Sequence, residues 1–314
     1  MSASAQTKTS EAPKERRDPY QLVTNTIIKH LEEGVVPWRC PWNRQIGKPR
    51  NFHTGKPYRG INQMLLSLRR FASPFWVTFN QVKALGGSVR KGERGSTVVK
   101  YGSFQPKSET DVAADDAGKA KAKLFLKDYV VFNALQTEGI SYPAVTEQGV
   151  MLEPKRIEVS EQMVASMPSK PSINEGRKAQ ASYNRVTDTI QMPALKRFES
   201  SEAYYLTLFH ELIHATGHES RLNRQSLVEH DEFGGKVYSQ EELVAEMGAA
   251  FLGLEADIVQ DDHEQAAAYI QSWLDVLREP DHTRWLVKAS NQAARAADFV
   301  LGIKQPVFAD APNS

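Results

Sequence analysis

The sequence predicts an α+β protein of two domains, and two observations carry that prediction. The first is charge. A net of +1 over 314 residues conceals a basic beginning and an acidic end. Residues 1–104 hold 18 Lys and Arg against 6 Asp and Glu, residues 105–149 hold 5 against 7, and residues 150–314 hold 16 against 25. The second is periodicity. Short β-branched and aromatic runs at Thr97 to Tyr101, Tyr129 to Phe132, Ala181 to Val186 and Asp188 to Met192 read as strands. Longer segments such as Glu202 to Gly217 and Ser239 to Gly253 carry apolar residues at helical spacing. A chain of this length can give each of two domains its own core.

Taken in order, residues 1–18 are rich in Ser, Thr, Lys and Glu and read as a disordered tail. The first domain is expected over residues 19–141. Leu22, Val23, Thr26, Ile27, Ile28 and Leu31 mark an amphipathic helix that Gly34 stops. Pro37 to Pro57 has no period and reads as a long loop or binding surface. Asn62 to Phe71 and Thr78 to Leu85 read as helices, the second ended by Gly86 and Gly87. An Ala-, Asp- and Lys-rich stretch at 105–123 is expected to be a mobile insertion between the first two strands. Residues 142–155 are the expected linker. The second domain is expected over 156–303, with helices at Arg156 to Met167, Glu202 to Gly217, Ser239 to Gly253, Asp262 to Leu277 and Trp285 to Leu301; residues 304–314 are a tail. Cys40 is the only cysteine, which excludes an intramolecular disulfide and suits a reducing compartment. With no apolar core in the N-terminal segment and no apolar stretch of membrane-spanning length, a cytoplasmic protein without a membrane partner is expected.

The helix that reads HELIHATGH from His210 to His218 carries the chemistry. His210 and His214 stand four residues apart and therefore project from one helical face, one turn apart. Two imidazoles so placed can share one ion, and Glu211 beside them is the expected general base. The expected cofactor is Zn2+, with another divalent transition metal as the alternative. Such a metal acidifies a water and polarises a carbonyl. The intervening LeuIle and the preceding LTLF make this helix largely apolar, so two histidines and a glutamate there would be costly without a metal.

A third ligand must come from elsewhere. A further histidine of the metzincin pattern would fall at position 220, which is Ser220. His218 follows Gly217, a residue type that ends helices, and reads as a surface residue. The run from Ser239 offers three glutamates. Leu243, Met247, Ala250, Phe251 and Leu254 define its apolar face; Glu246 falls on the border, Glu242 lies further round and Glu241 points away. Glu246 is thus the expected ligand, with Glu242 orienting a histidine or replacing Glu246 as ligand. Tyr183 and Tyr238 are candidate oxyanion donors, and the strand Asp188 to Met192 is a candidate edge for an extended peptide.

In the basic half, Arg39, Arg44, Lys48, Arg50, Lys56 and Arg59 alternate with Trp38, Trp42, Phe52, His53 and Tyr58. Cations that grip phosphates and rings that stack on bases make a platform for single strands. Arg90, Lys91 and Arg94 stand among Gly87, Gly92 and Gly95, where backbone amides could approach phosphates. No helix signature for reading a duplex groove is evident.

The stretches VPWRCPWN, GKPYRGIN, GGSVRKGERG and VFNALQTEG resemble the N-terminal single-stranded-DNA-binding domain of ArdC-type antirestriction proteins, a domain also found at the start of some plasmid primases. HELIHATGHESRLNR and YSQEELVAEMGAAFL resemble the zincin-like peptidase domain that follows it. The resemblance spans roughly residues 19 to 300. It implies a zincin-like α+β second domain, metal ligands at His210, His214 and Glu246, a catalytic glutamate at Glu211, and a DNA surface that takes in Asn62 of the second stretch. It also implies a plasmid- or phage-borne protein that shields incoming DNA from host restriction, with a host protein such as a restriction component as a candidate substrate. The alternatives are a DNA-coating protein whose metal is structural, or a metal-dependent nuclease.

Overall fold

The computed structural model describes residues 18–38, 47–104, 123–144, 153–176, 180–224, 236–258 and 266–303. The expected tails apart from Asp18, the insertion at 105–123 up to its last residue, and most of the expected linker lie outside the described residues.

Helix α1 (Pro19–Glu32) begins where Asp18 accepts the Tyr20 amide at 2.9 Å and Pro19 presets the first turn. Its buried stripe is Val23, Thr24, Ile27 and Leu31, and Gly34 leaves the helix with a φ of 79°. Four strands form the first sheet: β1 (Arg50–Asn51), β2 (Phe75–Thr78), β4 (Ser96–Phe104) and β5 (Lys123–Asn133), in the order β1-β2-β5-β4. β1 and β2 are parallel and the other pairs antiparallel. β4 and β5 pair without interruption from Ser96 opposite Val131 to Phe104 opposite Lys123, so the segment at 105–122 joins the two ends of one long ribbon. Helix α2 (Ile61–Ser67) is shorter than its pattern, because the chain turns at Arg70, which has a φ of 51°. Helix α3 (Phe79–Ala84) is fixed by a capping box between Thr78 and Gln81. A two-stranded sheet joins β3 (Ser88–Val89) to β6 (Thr137–Glu138).

The second half contributes α4 (Glu153–Ser166), a sheet of β7 (Ser172–Gly176), β8 (Ser182–Asn184) and β9 (Thr189–Pro193), then α5 (Ser201–Thr216), α6 (Lys236–Glu255), α7 (Ala266–Leu277) and α8 (Trp285–Val300). The sheet order is β7-β9-β8, with β7 and β9 parallel. β9 is therefore the central strand. The expectation that Asp188 to Met192 offers an open edge is overturned, since both of its edges are already paired. β7, which lacks a strong apolar alternation, was not legible in the sequence.

One core runs through both halves. Val23, Ile27, Leu31 and Met64 of the first half pack in the same cluster as Phe209, Leu243, Leu274, Leu286 and Ala293 of the second. The Thr24 hydroxyl donates to the Thr283 carbonyl at 2.8 Å, sealing α1 against the start of α8. A smaller cluster of Leu66, Trp76, Val98 and Val131 backs the first sheet.

Candidate metal centre

Helix α5 starts at a Ser200 cap, whose hydroxyl accepts the Ala203 amide. It runs through the core with Leu208, Phe209, Leu212 and Ile213 buried. His210 and His214 leave its one face together, with Nε2 atoms 3.1 Å apart. Glu211, between them in sequence, is 8 % exposed. Helix α6 lies antiparallel to α5: Gly253 meets Leu206, Gly248 meets Ile213, and Glu241 meets His214. The small residues of α6 allow this close approach, for a β-carbon at Gly248 would stand 2.7 Å from the Ile213 side chain.

The carboxylate delivered to the two imidazoles belongs to Glu242. Its Oε1 is 3.3 Å from His214 Nε2 and its Oε2 is 3.5 Å from His210 Nε2. His210, His214 and Glu242 each present a ligand atom, all within 4.8 Å of one another. Four ligands held tetrahedrally at about 2.0–2.1 Å from an ion are roughly 3.3 Å apart, so this spacing fits a small divalent metal with two nitrogen donors and one oxygen donor. Glu246, ranked first from the sequence, is one turn further along α6 and is not a member of the cluster. The reason is geometric. Leu243, Val244, Ala245, Met247, Ala249, Phe251 and Leu252 are all buried, so α6 is apolar on most sides and has no single face from which a border position can be read.

Behind the cluster stands Glu241, the glutamate expected to point away. It is 4 % exposed. Its Oε1 is 3.2 Å from His214 Nδ1, and Arg224 donates to it through Nε at 3.1 Å and again through Nη2. Arg224 also donates to Thr216 Oγ1 and to the Ile213 carbonyl, which fastens the helix C-terminus to the loop that follows. A carboxylate on Nδ1 fixes the imidazole tautomer and would leave Nε2 as the nitrogen that holds a metal. The position behind a histidine ring, expected of Glu242, is thus taken in the structure by Glu241. Sequence reasoning missed Arg224 altogether. Its only signal was membership of the HESRLNR stretch.

Burial by itself would depress the His214 pKa, but the adjoining carboxylates of Glu241 and Glu242 outweigh it and raise the value above that of ordinary histidine. For both glutamates burial opposes ionisation. Arg224 and His214 nevertheless hold Glu241 low, and the two imidazoles hold Glu242 low. Two carboxylates thus stay charged beside the paired histidines, which is the electrostatic setting a cation would enter.

The remaining candidates fall elsewhere. His218 interacts through Nδ1 with the Ser220 hydroxyl at 2.8 Å and stays outside the cluster. The Tyr183 hydroxyl donates to Asp188 and accepts from Arg221, so it serves a hydrogen-bonded corner of the second sheet. The Tyr238 side chain lies outside the described residues.

In the first half, Arg39, Trp42 and Arg44 lie outside the described residues. Trp38 is not a stacking surface. It is 2 % exposed, its indole N–H donates to the Tyr269 hydroxyl at 2.9 Å, and its ring meets Trp273 edge-on. Arg59 pairs with the buried Asp298 of α8, and Lys48 pairs with Glu255 of α6. Asn62 donates to the Val99 carbonyl and accepts the Val99 amide, each at 2.7 Å, pinning the edge of β4. Tyr58 is half-buried against the smaller core cluster. Trp38, Lys48 and Arg59 are thus engaged by α7, α6 and α8, with Arg59 still half-exposed, whereas Tyr58 and Asn62 are held within the first half. Lys56, Arg90, Lys91 and Arg94 remain exposed. Two of the nearby glycines answer to packing. A β-carbon at Gly87 would meet Ile140 at 2.5 Å, and one at Gly95 would meet Val130 at 2.2 Å.

With the geometry in place, comparison with known proteins assigns both halves. Residues 17–132 match the N-terminal domain of anti-restriction factor ArdC, and residues 159–292 match a zincin-like metallopeptidase domain. The antirestriction protein ArdC of plasmid R388 has crystal structures in metal-free and Mn(II)-bound forms. Both share 37 % sequence identity with this chain and cover 90 % of it and 97 % of their own chain, with TM-scores of 0.69 and 0.70. The chain belongs to the ArdC-type antirestriction family. Its two-domain α+β organisation is that of ArdC. A protein of Sinorhizobium fredii, y4eC, is 34 % identical to this chain over 306 residues that span 93 % of this chain and 94 % of that one. The Escherichia coli DNA primase TraC is 33 % identical over 302 residues, 91 % of this chain but only 27 % of the primase. Among the described residues no helix is long and apolar enough to cross a membrane.

Proposed function

We propose that this ArdC-type protein protects incoming plasmid or phage DNA from restriction by binding it as a single strand and bringing a zinc metallopeptidase site to it. The observation that carries the reading is the junction of His210, His214 and Glu242, with Glu241 and Arg224 behind His214. The ligand set suits Zn2+, and the Mn(II) held by a relative's crystal structure supports a divalent ion. When bound, the metal supplies Lewis acidity toward water and a peptide carbonyl. The chain supplies the rest. Glu241 holds the His214 ring in place, and Glu211, buried next to His210, accepts the proton of the attacking water and returns it to the leaving amine. The peptide substrate class fits a host protein at the incoming DNA, such as a restriction component. A basic first half of 18 Lys and Arg against 6 Asp and Glu supports binding to the polyanion.

Replacing Glu211 by Gln tests the chemistry, since it keeps shape and metal ligands while removing the base. We expect zinc content equal to the parent and loss of DNA protection in a plasmid-transfer assay. A zinc-loaded Glu211→Gln protein that protects normally would assign protection to DNA binding alone.

A further inference from the structure

The tryptophan platform expected at Pro37 to Pro57 loses Trp38 to the core, yet another surface of the same half has the required composition. In the antiparallel β4–β5 ribbon, residues directly opposite one another share a face and alternate residues along a strand do the same. Lys100 stands opposite Lys127, Gly102 opposite Phe125, and Val98 opposite Tyr129. Phe125, Lys127 and Tyr129 therefore line one face of β5, with Lys100 and Gly102 beside them on β4. The inner end of this face is closed by Leu66 and Trp76 against Val98 and Val131. Its outer end is open: Phe125 is 46 % exposed and Tyr129 40 %, and both lysines are exposed.

Three details go beyond exposure. Lys127 Nζ sits 5.4 Å from the centroid of the Tyr129 ring, so cation and ring form one unit. Phe125 lies over Gly102, where a β-carbon would come within 2.4 Å of its Cζ; the glycine is what lets the ring lie against the backbone. Lys100 and Lys127 face each other across the pair, an arrangement that costs stability unless an anion lies between them. Neither strand adds an acidic residue to that face, because Asp128, the only carboxylate of the two strands, points to the other side. The two rings are four residues apart on one strand, about 13 Å, with a lysine midway.

We propose that this outer face of the β4–β5 ribbon is the platform on which single-stranded DNA stacks, its bases on Phe125 and Tyr129 and its phosphates at Lys100 and Lys127. The proposal rests on the single-strand-binding reading above and adds its location. Flat rings interleaved with cations accept any base, so the platform is expected to be tolerant of sequence.

The test uses the full chain and a fluorescent oligothymidylate, read by anisotropy over a salt series. Phe125→Ala with Tyr129→Ala should weaken binding at least tenfold without changing the salt slope. Lys100→Gln with Lys127→Gln should lower the slope of log affinity against log salt by roughly 1.4, about 0.7 for each phosphate left without its lysine. Val186→Ala with Leu195→Ala, exposed apolar positions of the second half, should bind as the parent does. Photocrosslinking the parent to a bromodeoxyuridine oligonucleotide needs no variant and should label the β5 peptide containing Phe125 and Tyr129. Folded ring and lysine variants that bind within twofold of the parent, or crosslinks confined to other segments, would overturn the platform and leave the face to another partner, such as a protein. A parent chain that binds no single strand would remove the DNA-binding reading along with it.

Discussion

Replacing Glu241 by Gln probes the proposed metal centre through a residue outside the proposed ligand set. The side chain keeps its volume and one acceptor, but the charge is lost and an amide N–H2 replaces an oxygen that faces Arg224. In the structure Glu241 is 4 % exposed and engages His214 Nδ1 at 3.2 Å and Arg224 Nε at 3.1 Å. Arg224 is itself only 5 % exposed, so its guanidinium would be left buried with no carboxylate. Breaking one side of such a pair costs about 3–5 kcal/mol. At about 2–4 °C per kcal/mol for a domain of this size, melting should fall by roughly 6–20 °C in the metal-free protein. Loss of the carboxylate that orients His214 should weaken zinc binding by about 10- to 100-fold. Both effects are measurable on one preparation, by thermal melting after chelation and by zinc titration against a competing chelator. A Glu241→Gln protein that binds zinc within twofold of the parent would refute the argument that this carboxylate sets the ring, even if its melting point fell.

Other expectations follow from the same geometry. Metal analysis should find Glu242→Ala depleted of zinc and Glu246→Ala replete; the reverse result would restore the ranking read from the sequence. In the metal-free protein His214 is stabilised as the imidazolium by Glu241 and Glu242, and its raised pKa has two consequences. The stability it contributes is complete below the ordinary histidine value and is lost as pH rises through the raised one, and zinc must displace its proton. Zinc affinity measured by chelator competition should therefore climb as pH rises from 6 to 8, by about tenfold per unit, and a flat profile would contradict it. Trp38→Ala should destabilise the fold by about 3–5 kcal/mol, seen as a lower midpoint in urea, because it removes a buried ring and its bond to Tyr269. An unchanged midpoint would return that ring to the surface.

The sequence by itself determined the α5 half of the site. A helix has one pitch, so His210 and His214 had to present two imidazoles one turn apart wherever the helix lay. It also determined the two-domain α+β organisation, since charge and period are properties of the chain, and the longest motifs carried the family. Helix ends set by local chemistry, such as Asp18 at α1 and the Thr78–Gln81 box at α3, were legible within a residue or two. The tertiary structure alone decided which glutamate meets the histidines, because that depends on how far α6 slides along α5, and the stop is where Gly248 meets Ile213. It alone placed Arg224 behind Glu241, joined across 17 residues. It alone buried Trp38 and tied Arg59 to Asp298 and Asn62 to Val99, because a basic and aromatic segment looks the same in sequence whether it faces DNA or a neighbouring element. The alternating residues of β5 carried the opposite ambiguity. Lys127 and Tyr129 acquired a shared face with Lys100 only when the ribbon's register, fixed by backbone pairing from Ser96 to Phe104, set the two strands side by side.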